Sequence, residues 1–276
     1  VLVTVAIVRP QSSQKDSEVL TEGIDIMLVM DVSTSMRAED LKPEGKDIPR
    51  EETNRLGAAK EVASSFITGR KNDLIGLVVF AGKSFTQCPL TLDYNVLQSM
   101  VSRLQLGQVD GQGTAIGNAV GTAINRLRHS TARSRVVILV TDGDSNTGNI
   151  SPDQAAEFAE ALGIRIYTIL IGTEDTAPIS LGRDDFGISI RRPGRHYPIN
   201  PELLQRMAGR TGGEYARATS RAELERQVRR IDQLERSKLA DTTVQYAERF
   251  HIALIPALLL LGIGLTLRAT RLRRFP

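Results

Sequence analysis

The stretch Ile24-Asp25-Ile26-Met27-Leu28-Val29-Met30 runs directly into Asp31-Val32-Ser33-Thr34-Ser35. An apolar run without period-two alternation reads as a strand covered on both faces, the pattern of a parallel sheet inside an α/β domain. Open α/β sheets place their ligand sites where such strands stop, at the carboxyl edge. One carboxylate and two hydroxyls delivered together at that edge suit a hard cation such as Mg²⁺.

Outward from this strand, continuous apolar runs recur at Leu74 to Ala81, Val136 to Thr141 and Ile164 to Ile171, with a last short strand at Glu214 to Arg217. Helical patterns fill the gaps at Asn54 to Gly69, Tyr94 to Leu104, Ala115 to Arg128, Pro152 to Leu162, Pro201 to Arg210 and Arg221 to Lys238. The alternation predicts a doubly wound, mostly parallel α/β sheet. Ser84 to Cys88 follows the second run through Gly82-Lys83, a link too short for a crossover, so it is predicted to pair antiparallel at an edge. Start signals support several helices, among them Asp93 before Tyr94 and Ser151 ahead of Pro152. In the last helix Leu224, Val228, Ile231 and Leu234 form one apolar stripe for docking on the sheet. Two long loops are expected, a charged insert from Arg37 to Thr53 beside the site and a second from Gly172 to Pro198.

With 276 residues, 41% hydrophobic and 24% charged, the chain holds one sizeable α/β domain with something appended. The formal charge is +3, but basic and acidic residues alternate, aromatics are only 4% and Trp is absent, which argues against a nucleic-acid partner. The single Cys88 excludes an internal disulfide framework and reads as a small buried residue. His129, His196 and His251 are scattered without zinc-ligand spacing.

Ile252 to Leu267 is uncharged, and with Phe250 and His251 it reaches about the lower length for a spanning helix. Tyr246, Phe250 and Phe275 stand at headgroup positions, and Arg268, Arg271, Arg273 and Arg274 follow in a short tail. These features predict a membrane anchor over 250–267, with a basic cytoplasmic tail over 268–276 and the domain outside. Val1 to Val8, followed by Arg9-Pro10, reads as the end of a membrane helix whose beginning is missing, over 1–9, with an edge strand as the alternative. Residues 10–21 then form a linker, 22–238 the α/β domain and 239–249 a spacer.

Three loops meet at the carboxyl edge of such a sheet: Asp31 to Ser35, Gly113-Thr114-Ala115, and Thr141-Asp142-Gly143-Asp144. Two carboxylates balance a divalent cation, while hydroxyls add oxygens without charge, so an open position stays attractive to an outside carboxylate. Each piece alone has a simpler reading. Ser33 and Ser35 can cap a turn, Thr114 can cap the helix that follows, and Asp142-Gly143 is a common turn dipeptide.

The residues Asp31-x-Ser33-x-Ser35, Thr114 and Asp142-Gly143 resemble the metal-ion-dependent adhesion site of von Willebrand factor A (VWA) domains. The resemblance implies Ser33, Ser35 and Thr114 as hydroxyl ligands of Mg²⁺, or of Mn²⁺ in its place. Asp31 and Asp142 would ligate directly or through water. Gly76-Leu77-Val78-Val79-Phe80-Ala81-Gly82, Pro89-Leu90-Thr91-Leu92-Asp93, Gly113-Thr114-Ala115-Ile116-Gly117 and Thr211-Gly212-Gly213-Glu214-Tyr215 are similar to bacterial aerotolerance (Bat) proteins of the A type. That family implies a bacterial inner-membrane protein with a periplasmic VWA domain. Its partners would be other VWA-domain Bat proteins and a MoxR-type AAA+ ATPase. The insert Glu44 to Thr53 is longer than the family pattern.

The reading is a binding module and not an enzyme: a partner's Asp or Glu completes the coordination of the metal. Two other readings compete, a Mg²⁺-dependent phosphatase with Asp31 as nucleophile and a metal-free membrane scaffold. The phosphatase would want a second acid two residues after Asp31, where Ser33 stands. Gly82-Lys83-Ser84 lacks phosphate-loop spacing, Gly111-Gln112-Gly113 with Gly117 lacks dinucleotide spacing, and no Gly-x-Ser-x-Gly elbow occurs.

Overall fold

Ile24–Asp31 is buried at every position, as a strand with neighbours on both sides and helices on both faces must be. In chain order the strands are β1 (Gln11–Ser13), β2 (Ile24–Asp31), β3 (Leu74–Phe80), β4 (Ser84–Thr91), β5 (Ser134–Thr141), β6 (Arg165–Ile171), β7 (Ile179–Arg183), β8 (Ser189–Arg192), β9 (Tyr215–Ala218) and β10 (Tyr246–Glu248). The helices are α1 (Arg55–Thr68), α2 (Tyr94–Ser102), α3 (Ile116–Leu127), α4 (Pro152–Ala161), α5 (Pro201–Arg210), α6 (Arg221–Thr242) and α7 (Phe250–Thr270), and a 3-10 turn covers Thr34–Arg37. The computed structural model describes residues 11–13, 23–41, 54–143, 145–172, 179–183, 189–192, 200–242, 246–248 and 250–270. The chain divides into two units, Thr21–Arg236 and a second made of 1–20 with 237–276.

In the first unit six strands form one sheet in the order β4-β3-β2-β5-β6-β9. β2 pairs in parallel with β3 on one side and β5 on the other, and β6 and β9 extend the parallel set. β4 is antiparallel to β3 and closes one edge. The chain lays β2, β3 and β4 outward in one direction, then returns to place β5 on the other flank of β2. The direction of winding reverses between β2 and β5, and the crevice of such a sheet opens there.

The lack of alternation in β2 has a direct cause. Met27 and Val29 face a core with Val78, Phe80, Val137 and Leu139, covered by Ile116 and Ala119 of α3, Ala155 of α4 and Leu204 of α5. Leu28 and Met30 face the other way, where Ile138 and Val140 meet Ala59, Val62 and Phe66 of α1 and Leu224 and Val228 of α6. Both faces are dry, so both sets of residues are apolar. Each large side chain buried this way contributes about 2 kcal/mol.

The predicted caps fall where the helices begin. Ser151 and Gln154 form a reciprocal capping box at α4, and Asp93 accepts from the Val96 amide at α2. Asn54 accepts from the Gly57 amide at α1. Cys88 is buried and free.

Several expectations are corrected. β4 continues through Pro89 to Thr91, past the expected end at Cys88, because an edge strand tolerates a residue without an amide proton. The long loop after Gly172 contains an antiparallel pair, β7 with β8; Ile179-Ser180-Leu181 and Ile188-Ser189-Ile190 alternate with period two. α6 runs to Thr242, past the expected Lys238. In the second unit β1 pairs antiparallel with β10, so the linker and the spacer each carry a short strand.

At the amino edge of the sheet the last helix of the first unit is tied down by a buried carboxylate. Glu235, 2% exposed, accepts from Ser134 Oγ and Arg165 Nε, both at 2.7 Å, and from the Tyr167 hydroxyl. Glu235→Ala leaves these donors buried without their acceptor and is expected to lower stability by about 3 kcal/mol. Urea unfolding of the full chain measures it, and an unchanged midpoint would show that the cluster contributes nothing net.

Among the described residues no helix is long and apolar enough to cross a membrane. The side chains described in α7 run from Leu254 to Leu267, so the expected span over 250–267 is not met by them alone. The truncated-helix reading of Val1 to Val8, the insert Glu44 to Thr53, Asp144, His196 and the tail after Thr270 lie outside the described residues.

Candidate metal centre

β2 ends on Asp31 and β5 on Thr141, neighbouring strands at the point where the winding reverses. Asp31 is fully buried. Its Oδ1 accepts the Ser33 amide at 2.8 Å and its Oδ2 accepts Thr141 Oγ1 at 2.7 Å. The first bond turns the backbone sharply after the strand; the second ties the ends of β2 and β5 together.

The turn carries Ser33 and Ser35 inward. Ser33 holds the N-cap position of the 3-10 turn, yet its side chain makes no capping bond. Its hydroxyl lies 2.9 Å from Ser35 Oγ, and Ser35 Oγ donates to Asp142 Oδ1 at 2.7 Å. A hydroxyl has one proton. Because Ser35 gives its own to Asp142, Ser33 donates to Ser35, and three side chains form a directed chain.

Thr114 enters from the third segment. It is buried, and the cap of α3 falls on Ala115 without a side-chain bond, so the Thr114 hydroxyl is not a helix cap. A methyl group built on Gly143 would lie 3.9 Å from Thr114 Oγ1, which places that hydroxyl beside the Asp142-Gly143 turn. The backbone of Thr114 is fastened on both sides by Asn146: the Thr114 amide donates to Asn146 Oδ1 at 2.8 Å, and the Asn146 amide donates to the Thr114 carbonyl at 3.1 Å. Gly113 makes this approach achievable. Its φ is +98°, and a Cβ there would sit 2.5 Å from Asn146 Oδ1 and 2.6 Å from Thr147 Cγ2.

All five residues singled out in the sequence therefore come to one place. Beside them stands a group that sequence reasoning missed. Arg55, the first residue of α1, is 2% exposed. Its Nη1 donates to Asp142 Oδ2 at 2.9 Å, while Nε and Nη2 grip Asp40 Oδ1 and Oδ2 at 2.8 and 2.5 Å. Gly172, at the end of β6 with φ +124°, leaves room for the guanidinium; a Cβ there would lie 2.5 Å from Nη2. One signal could have flagged Arg55, because a cation is unfavourable in the first turn of a helix unless a nearby anion holds it. Asp40, Thr141 and Asn146 carried no such signal.

Burial, reinforced by the neighbouring Asp142 charge, pushes the Asp31 carboxyl up to about 7 against the pull of its hydrogen bonds from Ser33 and Thr141. Burial raises Asp142 as well, against the opposing pull of Arg55 and Ser35. Burial by itself would lower the Arg55 value, but Asp40 and Asp142 more than offset it and keep the guanidinium charged.

The donor set fits a hard divalent cation. Asp31, Asp142 and Asp40 against Arg55 leave two negative charges in excess, the amount one such ion cancels, and carboxylate plus hydroxyl oxygens are its preferred ligands. Among the described residues no cluster of three or more His, Cys, Asp or Glu is gathered that could hold a metal. Two carboxylates with hydroxyls is a different donor set, which excludes a soft or nitrogen-rich site but suits Mg²⁺.

The von Willebrand factor type A domain profile matches residues 25–181, more than half of the chain and the whole of this site. The chain belongs to the von Willebrand factor type A domain family. An uncharacterized protein of Borreliella burgdorferi is 31% identical over 215 residues, 75% of this chain and 58% of the relative, so the VWA chain spans little more than half that relative's length. An aerotolerance-related membrane protein of Bacteroides fragilis has 29% identity and a TM-score of 0.61, covering 78% of this chain and all of that one. BatB of Bacteroides thetaiotaomicron has 27% identity and a TM-score of 0.58, covering 76% of this chain and all of that one. These two solved neighbours carry the aerotolerance-related and BatB names. Proximal thread matrix protein 1 of the mussel byssus, solved with zinc in its adhesion-site motif, shares the fold at 17% identity and a TM-score of 0.55, covering 77% of this chain and 45% of that one.

Proposed function

We propose that this VWA domain is a metal-dependent protein-binding module, in which a partner's Asp or Glu completes the coordination of Mg²⁺ held by Asp31, Ser33, Ser35, Thr114 and Asp142. One observation carries the reading. Three segments far apart in the chain bring these side chains together at the reversal of the sheet, and neither Ser33 nor Thr114 uses its hydroxyl as a helix cap. The ion, when bound, supplies positive charge for a carboxylate from outside. The protein's part is to hold the oxygens: Asp31 locks the turn, Ser33 and Ser35 pass their protons toward Asp142, and Asn146 fixes the loop of Thr114.

A phosphatase reading has less support. Both oxygens of Asp31 are engaged by Ser33 and Thr141 inside the protein, which is a poor posture for a nucleophile. The similar solved structures include an aerotolerance-related membrane protein and BatB, and we read this chain as a Bat protein of the A type, working with other VWA-domain Bat proteins and a MoxR-type AAA+ ATPase in tolerance of stress.

We also place the chain at the bacterial inner membrane with the domain on the periplasmic side. The sequence from Ile252 to Leu267 carries no charged residue, and the reading rests on that run and on the apolar side chains described within it. Ile255, Leu258, Leu259, Leu260 and Leu261 are each more than half exposed. Consecutive leucines point around the whole helix, and a helix apolar all round calls for lipid or a protein interior.

The test is calorimetry of the full chain in detergent with Mg²⁺ and Mn²⁺, followed by membrane pull-down with and without EDTA. Wild type should bind one ion and lose its partners in EDTA, while Asp31→Ala and Ser33→Ala should lose both. Equal, negligible heats in wild type and variants would favour the inert scaffold.

A further inference from the structure

Arg55 is unusual on three counts. Arginine is almost never fully buried without partners of opposite charge; this one opens a helix, where the dipole disfavours it; and its fork spans two carboxylates from segments 15 and 87 residues away. Its fork faces Asp40 with two nitrogens and Asp142 with the third. The backbone of β6 leaves a gap for it at Gly172. A structural ion pair alone would be satisfied by Asp40, since that contact is already bidentate. The third bond, to the same carboxylate that accepts from Ser35, has a different consequence: it brings a permanent positive charge into the metal centre.

We propose that Arg55 is the resident counter-charge of the metal centre, a positioning residue that lets the donor set stand without an ion and limits how tightly an ion is held. This rests on the metal-binding reading of the site. Without Arg55, the buried carboxylates Asp31, Asp142 and Asp40 face one another uncompensated, and the metal-free protein is poorly stable. With Arg55, the excess with all three carboxylates ionised falls from three to two, the amount that one divalent cation cancels. The site then exchanges its ion, and with it the partner's carboxyl group, without the fold depending on occupancy. Asp40 anchors the other side of the fork, so the charge is held in one place on Asp142 Oδ2. It does not swing toward solvent.

The size of the effect follows from Coulomb's law. Even at the dielectric constant of bulk water, about 80, a unit charge about 6 Å from a divalent ion changes its binding by a factor of about ten, and the lower dielectric of a buried site enlarges it. Arg55→Gln keeps a hydrogen-bond donor and removes the charge; Arg55→Lys keeps the charge and removes the fork.

The experiment is calorimetric titration of the full chain in detergent with Mn²⁺, together with thermal unfolding in EDTA and in saturating Mn²⁺. Arg55→Gln is expected to melt several degrees lower in EDTA, to bind Mn²⁺ at least about tenfold more tightly than wild type, and to recover most of its melting temperature when Mn²⁺ is added. Arg55→Lys should bind within about threefold of wild type. If Arg55→Gln fails to fold without metal, near-ultraviolet circular dichroism during Mn²⁺ addition decides, because folding restored by the ion supports the counter-charge and folding not restored overturns it. Unchanged or weaker Mn²⁺ binding by a folded Arg55→Gln also overturns it. Should wild type give no heat while Arg55→Gln binds, the native site holds no ion and the proposal falls with the metal-binding reading, whereas wild-type binding that Arg55→Gln leaves unchanged overturns the counter-charge alone. If neither binds, both fall.

Discussion

Asp142→Ala is expected to lower stability by about 3 kcal/mol and to abolish binding of Mg²⁺ and Mn²⁺. Asp142 is fully buried and accepts from Ser35 on one oxygen and from Arg55 on the other. Its removal strands the Ser35 hydroxyl and takes away one of the two carboxylates that compensate a buried guanidinium. Breaking one side of a buried pair costs about 3 to 5 kcal/mol, and the lower figure applies because Asp40 still holds Arg55 by two bonds. Urea unfolding in EDTA gives the first quantity and calorimetry the second. A variant as stable as wild type would mean that Arg55 and Ser35 find new partners at no cost, and the charge account of the site would be wrong.

For Asp31 the expected effect has the opposite sign. A carboxyl that titrates near 3.8 in the unfolded chain and about 7 in the folded one binds its proton more tightly when folded. Stability from this group is therefore fully present below about pH 4 and is lost as the pH rises to about 7. At 1.36 kcal/mol per unit the loss reaches about 4 kcal/mol at most. The metal-free protein should accordingly be more stable at pH 5 than at pH 7.5, and saturating Mg²⁺ should flatten the difference, because the ion takes the place of the proton. Asp31→Asn can still accept the Ser33 amide, carries no charge, and should raise metal-free stability at pH 7.5 while losing the response to Mg²⁺. The residual slope in that variant reports Asp142, which burial shifts in the same direction. Chemical unfolding in EDTA across this range is the measurement; a flat profile in wild type, or the full slope retained in Asp31→Asn, would remove Asp31 as the group responsible.

Much of the architecture was legible because its causes are local. Apolar runs without alternation at Ile24 to Met30 and Val136 to Thr141 announce strands covered twice, and Gly82-Lys83 forces an antiparallel return. The parts misread were those where the sequence signal is weak or brief. Ile179-Ser180-Leu181 alternates for only a few residues between polar stretches, so the sequence reads as loop where β7 and β8 pair. β1 and β10 are three residues each, too short for any periodic signal. The expected end of β4 at Cys88 falls just before Pro89, whose missing amide proton an edge strand tolerates.

The same division runs through the site. By itself the sequence determined the strands of a mostly parallel α/β sheet with one antiparallel edge, and five oxygen-bearing residues at strand ends and loop starts, because hydrophobic period, turn chemistry and motif spacing act over a few neighbours. Only the tertiary structure decided which proton goes where. Arg55 reaches Asp142 across 87 positions and Thr141 reaches Asp31 across 110, and no local preference encodes such distances. They follow from the packing of both sheet faces, which carries the ends of β2 and β5 side by side, sets α1 against them, and leaves at Gly172 the space that a buried guanidinium fills.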